Sequence, residues 1–93
     1  MKAIWKDTLL AESDETIVVE GNHYFPPDSI HTQYFKATDR HTTCPWKGEA
    51  SYFTIEAGGE VYENGAWYYP DPKEKARHIK DYVAFYRDVE VTE

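Results

Sequence analysis

The stretch ASYFTIEAGGEVYE, residues 50–63, decides the fold. Two runs rich in aromatic and β-branched residues, Ala50–Glu56 and Glu60–Glu63, flank Ala57-Gly58-Gly59 and read as a hairpin. Successive side chains of a strand point to opposite faces, so Tyr52 and Thr54 share one face while Phe53 and Ile55 share the other. Working outward, Ala3–Trp5 and Leu9–Ala11 flank Lys6-Asp7-Thr8 as a second hairpin. Thr16–Glu20 is β-branched and reads as a strand that ends at Gly21-Asn22. Pro26 and Pro27 remove ladder donors and break the pattern after Tyr24-Phe25. Ile30–Lys36 resumes as a strand after a turn at Asp28-Ser29, and Asn64-Gly65 reads as another tight turn. One helix is predicted from Pro72 to Lys80, with Asp71 as N-cap, Pro72 at the first helical position and Glu74 three residues after the cap. Ala76, Ile79 and Val83 mark its inner stripe. Val83-Ala84-Phe85 and Val89-Glu90-Val91 return to the sheet. The expectation is a single, mainly β domain over residues 1–93, with one short helix near the C-terminus.

The composition fits such a domain. Ninety-three residues provide one core, and 16% of them are aromatic: eight Tyr, four Phe and three Trp. Aromatic side chains bury a large area each, which helps a small β domain build a sufficient core, and they also line ligand pockets. Seventeen acidic residues against ten basic ones leave a net charge of −7. Nucleic acid and anionic membrane surfaces are therefore not expected partners, because both require a basic face. The acid is unevenly spread. From His31 to Lys47 the only carboxylate is Asp39, while Lys36, Arg40 and Lys47 are cationic. That distribution favours a small anion locally within an acidic protein. A single cysteine permits no intramolecular disulfide. The opening MKAIWKDTLLAES holds no apolar run of signal-peptide length and no segment approaches a membrane span, so a reducing cytoplasm is the expected location.

The least acidic segment contains HTTCPWKGEASYF, residues 41–53, which places Cys44, Trp46, Lys47 and Gly48 within five positions. CPWKGEASYF, followed by AWYYPDP and later VAFY, resembles the family catalogued as domain of unknown function 427, small and mostly bacterial proteins. HYFPPDSI and DRHTTCPWKG are similar to that family as well, so the resemblance covers nearly the whole chain, as far as Tyr86. One departure is Asn64-Gly65 before Ala66-Trp67, where an Asp-Ala type pair is expected. The resemblance implies a compact β structure of the Mss4-like or β-tent group, which includes zinc proteins, methionine sulfoxide reductases and aromatic-caged ligand binders. It also brings a nucleotidyltransferase-like label, without any residue assignment.

Four chemistries compete for these residues. A structural zinc site needs about four Cys or His ligands. Only His41-x-x-Cys44 forms a close pair, with His23, His31 and His78 distant, so no metal and no cofactor are expected. Nucleophilic catalysis by Cys44 requires a cation or imidazole to lower the thiol pKa, and His41, Arg40 and Lys47 are near in sequence. A lone cysteine has no resolving partner, however, and free cysteine is often a small buried hydrophobe. Cys44 is expected to be structural or part of a pocket wall. Nucleotidyl transfer relies on paired carboxylates and a phosphate cradle, and no Gly-rich phosphate loop occurs. A small-ligand pocket suits the residue types best. Trp46, Tyr52, Trp67 and Tyr69 are its candidate walls beside Cys44, and Lys47 and Arg40 its anchors for a polar or anionic ligand. Two alternatives remain open: an enzyme using Cys44 or Lys47 for acyl, alkyl or nucleotidyl transfer, and a structural interaction module whose tryptophans are core. The expected assembly is a monomer or weak homodimer.

Overall fold

The computed structural model describes residues 1–93. Nine strands follow one another: β1 (Lys2–Trp5), β2 (Thr8–Glu12), β3 (Ile17–Val19), β4 (Asn22–Tyr24), β5 (Phe35–Cys44), β6 (Gly48–Ala57), β7 (Glu60–Tyr68), β8 (Val83–Phe85) and β9 (Glu90–Thr92). The hairpin predicted from Gly58-Gly59 is the centre of the molecule. β6 and β7 pair antiparallel across it, with Ala57 opposite Glu60. β5 and β8 add on either side, giving a four-stranded antiparallel sheet in the order β5-β6-β7-β8. A three-stranded sheet, β2-β1-β9, packs over one face, and the β3–β4 hairpin joins the other sheet's edge. The join is a reciprocal pair of 2.8 Å backbone bonds between Phe25 and Val83.

Three of the hairpins use one local solution. Lys6-Asp7, Glu20-Gly21 and Gly58-Gly59 all have positive φ at both positions. Two-residue loops of this kind carry a twist that matches the flanking strands. The turns accordingly differ from the sequence reading: the first gives up Thr8 to β2, and the second shifts one position to Glu20-Gly21, so that β3 ends at Val19 and Asn22 begins β4.

Period-two alternation along the central sheet divides the core in two. Ile55, Ala57, Ala66, Val83 and Phe85 face Ala3, Trp5, Leu10 and Ala11 of the three-stranded sheet. Ala50, Tyr52, Tyr69 and Ala84 face Tyr24, Ala76 and Ile79. The predicted division of Tyr52 from Ile55 holds, and the middle of the sheet carries a core on each face. The radius of gyration, 12.4 Å, matches the roughly 12 Å of a fully compact chain of this length. No helix is long and apolar enough to cross a membrane.

Three sequence expectations are corrected. The helix from Pro72 to Lys80 is instead a 3-10 helix confined to Glu74–Ile79, and Asp71 does not cap it: the N-cap position is Lys73, without a side-chain cap. The segment is pinned at both ends, by Lys73 N–H on the Lys47 carbonyl at 2.9 Å and Asp81 N–H on the Tyr69 carbonyl at 3.0 Å. Between those pins, three residues per turn place Ala76 and Ile79 inward together. Val83 lies beyond it in β8. Next, Ile30–Lys36 is not a continuous strand. Ile30 bridges Ala11, Thr32–Tyr34 form a 3-10 turn, and β5 starts only at Phe35. Finally, Asn64-Gly65 makes no turn. β7 runs through it as a bulge, with Thr54 opposite residues 63–65. Asn64 adopts φ 54° and donates its N–H to Thr54 Oγ1 at 3.2 Å, and the ladder resumes at Ala66.

Gly48 opens β6 at φ 111°, and a Cβ there would meet the Asp71 carbonyl oxygen and Lys73 nitrogen at 3.4 Å. Backbone strain and close approach act together, so Gly48→Ala should lose about 1–3 kcal/mol of stability. Denaturant unfolding measures this, and a variant as stable as the parent chain would contradict the strained conformation.

Candidate functional site

The HTTCPWKG segment is the loop joining two strands of the central sheet. β5 ends at Cys44, β6 starts at Gly48, and these two residues pair across the strands. Pro45, Trp46 and Lys47 form the connection. The lead-in to the 3-10 helix clamps it twice, through Lys73 N–H on the Lys47 carbonyl at 2.9 Å and Lys73 Nζ on the Pro45 carbonyl at 2.7 Å. With its backbone held this way, the loop sends the Lys47 side chain inward, where only 7% of it remains exposed.

Lys47 ends in a box of aromatic rings. Its ammonium lies 5.3 Å from the Trp46 ring centre and 5.5 Å from that of Tyr69. It forms an ion pair with Glu20, whose side chain is 52% exposed. The second carboxylate oxygen of Glu20 accepts Trp46 Nε1–H at 3.4 Å. Burial pulls the Lys47 pKa down, but the Glu20 carboxylate and the nearby Tyr24, Tyr69 and Cys44 outweigh it, leaving the value above 10.5. Glu20 moves the other way. The hydrogen bonds from Lys47 and then Trp46 hold its carboxyl below 4.5. Burial raises the phenol pKa of both Tyr24 and Tyr69, which keeps them protonated beside the cation.

The row continues across the sheet. Trp67 donates Nε1–H to the Tyr24 hydroxyl at 3.1 Å, and the two rings meet edge to face. Trp67 is the cross-strand partner of Tyr52 and packs against Tyr86, with ring centres 4.7 Å apart. Tyr52 shares a 2.8 Å hydrogen bond with Thr42, and the Arg40 guanidinium sits 5.1 Å over its ring. Burial raises the Tyr52 pKa, but bonds from Thr42, Tyr86 and Arg40 overcome this and lower it, while burial and Tyr52 push Tyr86 up to about 12. Arg40 and Tyr86 border an open hollow of about 330 Å³ with Tyr62, Glu63 and Asn64.

Of the residues singled out in the sequence, Cys44, Trp46, Lys47 and Tyr69 gather at one end of this row, and Arg40, Tyr52 and Trp67 at the other. His41 stands apart. Strand alternation turns it to the opposite face of β5 from Cys44, and its Nδ1 pairs with Ser51 Oγ at 3.2 Å. His23 bonds Thr16 and His31 bonds the Leu9 carbonyl, so the histidines are dispersed. No group of three or more His, Cys, Asp or Glu side chains converges. Cys44 is a free, half-buried thiol packed against the cluster of Tyr52 and Tyr69. Sequence reasoning missed Glu20, Tyr24, Thr42 and Tyr86. Gly21-Asn22 carried a turn signal with Glu20 read as the strand end before it, and nothing local indicated which charge that carboxylate would meet.

A family model described as a domain of unknown function (DUF427) matches residues 1–93, the whole chain. No curated protein matches it.

The two shifts set the pH window of the ion pair. The lowered Glu20 pKa contributes stability that is present above 4.5 and lost as pH falls through the depressed folded value. The raised Lys47 pKa contributes stability that is present below 10.5 and lost as pH rises through the folded value. The Tm gap between the parent chain and Glu20→Gln should therefore narrow on acidification below 4.5. A gap that stays constant well into acid would remove the pair from the stability of the fold.

Proposed function

The chain belongs to the DUF427 family, a domain of unknown function, and we propose that it is a small-ligand-binding protein whose site is the aromatic row around Lys47. The ligand class is small, planar and polar or anionic. The carrying observation is the boxed cation: Lys47 is 7% exposed, yet it is flanked by Trp46, which keeps 37% of its surface in water. An ammonium withdrawn from water between two rings attracts anions more strongly than a surface lysine does, because solvent screens it less. The exposed indole beside it offers a stacking face. Tyr69 and Trp67 form the inner wall with Cys44, and Arg40 over Tyr52 supplies a second cation at the far end.

Several observations favour binding over catalysis. A nucleophilic lysine needs a depressed pKa, whereas the charges around Lys47 raise it and keep the amine protonated. His41, the imidazole nearest Cys44 in sequence, bonds Ser51 on the other side of the sheet. Nucleotidyl transfer calls for carboxylates that converge on metal ions, and no such cluster forms. Full burial of both tryptophans would have favoured the interaction-module reading, and Trp46 is 37% exposed.

A thermal-shift screen of metabolites, nucleotides included, tests the proposal on the parent chain, Trp46→Ala and Trp67→Ala. A ligand at a hundred times its Kd raises stability by about 2.7 kcal/mol. Trp46→Ala is the sharper variant because its ring is partly in water, so its loss leaves the core intact. A hit should stabilise the parent chain and lose most of its effect in both variants. A ligand that stabilises all three equally binds elsewhere, and the proposed site is then wrong.

A further inference from the structure

The Lys47–Glu20 pair is lopsided. The cation is 7% exposed and its partner 52%, so a buried charge takes its counter-ion from outside the core. Glu20 sits at the apex of the β3–β4 hairpin, at φ 54° in a two-residue turn closed by the Val19–Asn22 pair. Its two oxygens meet two different donors, Lys47 Nζ and Trp46 Nε1, and the second contact is long at 3.4 Å. The carboxylate thus reaches a ready cradle from a surface turn.

We infer that the Glu20 carboxylate is an internal stand-in for a ligand's acid group, and that the site takes small ring-bearing carboxylic acids which displace Glu20 from Lys47 and Trp46. The inference rests on the binding reading above and narrows it to one ligand class. A buried ammonium cannot release its counter-ion to nothing, because an unpaired buried charge is strongly unfavourable. Another anion must replace Glu20 as it leaves. A carboxylate reproduces both its single charge and its two acceptor oxygens. A phosphate dianion fits less well, since one ammonium and one indole N–H face it within a protein of net charge −7. The ring requirement comes from Trp46, whose indole borders the cradle and remains 37% exposed.

If Glu20 competes with the ligand, the measured affinity is reduced by the fraction of molecules in which the cradle is open. Removing the competitor should tighten binding of an acid and leave its neutral isostere unaffected. Benzoate and benzamide are the probes, titrated calorimetrically into the parent chain, Glu20→Gln and Glu20→Ala. Benzoate is expected to bind Glu20→Ala about tenfold more tightly than the parent chain, with benzamide unchanged across all three. Formate alone should raise the Tm of Glu20→Ala more than that of the parent chain, by restoring the missing counter-ion. Should Glu20→Ala fail to fold, Glu20→Gln carries the comparison, because it keeps the side chain's size while removing its charge and one of its two acceptors. Equal benzoate affinities in the parent chain and the variants, with binding still lost in Trp46→Ala, would overturn the stand-in and leave the binding site standing. Benzamide binding at Trp46 without benzoate binding would do the same. Absence of binding by every ring compound, charged or neutral, in all three proteins would overturn both.

Discussion

The structure depends on one strand that carries a core on each of its faces. β6 is hydrogen-bonded to β5 along one edge and β7 along the other, and a hydrophobic cluster covers each of its faces. Only Glu49 and Glu56, near its two ends, are exposed, so the middle of the strand has no solvent face on which to place a mismatch. A register slip of one residue would move Ile55 into the tyrosine cluster and Tyr52 into the aliphatic one. The same constraint explains Val83-Ala84-Phe85, where three consecutive residues are buried but alternate between the two cores.

The two cores differ in chemistry. The one beneath the three-stranded sheet is aliphatic and phenylalanine-rich, and its rings meet in edge-to-face and tilted pairs such as Phe25–Phe85 and Phe35–Phe85. The other carries Tyr24, Tyr52 and Tyr69, whose hydroxyls need partners when buried. No buried side-chain nitrogen or oxygen in the protein lacks a hydrogen bond. Satisfying the phenols draws polar groups into the second face: Trp67 bonds Tyr24, Thr42 bonds Tyr52, and Lys47 lies against Tyr69. A tyrosine-lined face therefore holds polar and charged groups that a phenylalanine core would exclude.

Both bulges of the central sheet lie at the Arg40 end. β5 loses register between Ala37 and His41, and β7 between Phe53's partner Ala66 and Tyr62. Thr38 ties them together, donating to Asn64 Oδ1 at 2.8 Å. Bulges re-aim side chains locally. Here the first of them carries Arg40 over the ring of Tyr52. The second places Gly65 where a Cβ would fall within 2.8 Å of the Tyr62 ring, which accounts for glycine there without any requirement for a turn.

Much of the fold was legible in the chain. Gly58-Gly59 between two alternating runs specifies the central hairpin through turn chemistry, and the alternation of Tyr52 with Phe53 and Ile55 specifies two opposed faces. The inward pairing of Ala76 with Ile79 was readable too, because positions three apart share a side in either kind of helix. What failed was whatever depended on distant partners. Asn64-Gly65 has the composition of a turn, yet strand pairing on both flanks outweighs it. Asp71-Pro72 has the composition of a helix start, yet the Lys47 carbonyl takes the Lys73 N–H. The candidate site follows the same division. Composition and charge along residues 40–48 single out Arg40, Cys44, Trp46 and Lys47, since residue type is a local property. The carboxylate that meets Lys47 comes from 27 positions away, and the hydroxyl that meets Trp67 from 43. Contacts at such separations leave no trace in local periodicity or turn chemistry, and only the packing of the β3–β4 hairpin against the central sheet decides them.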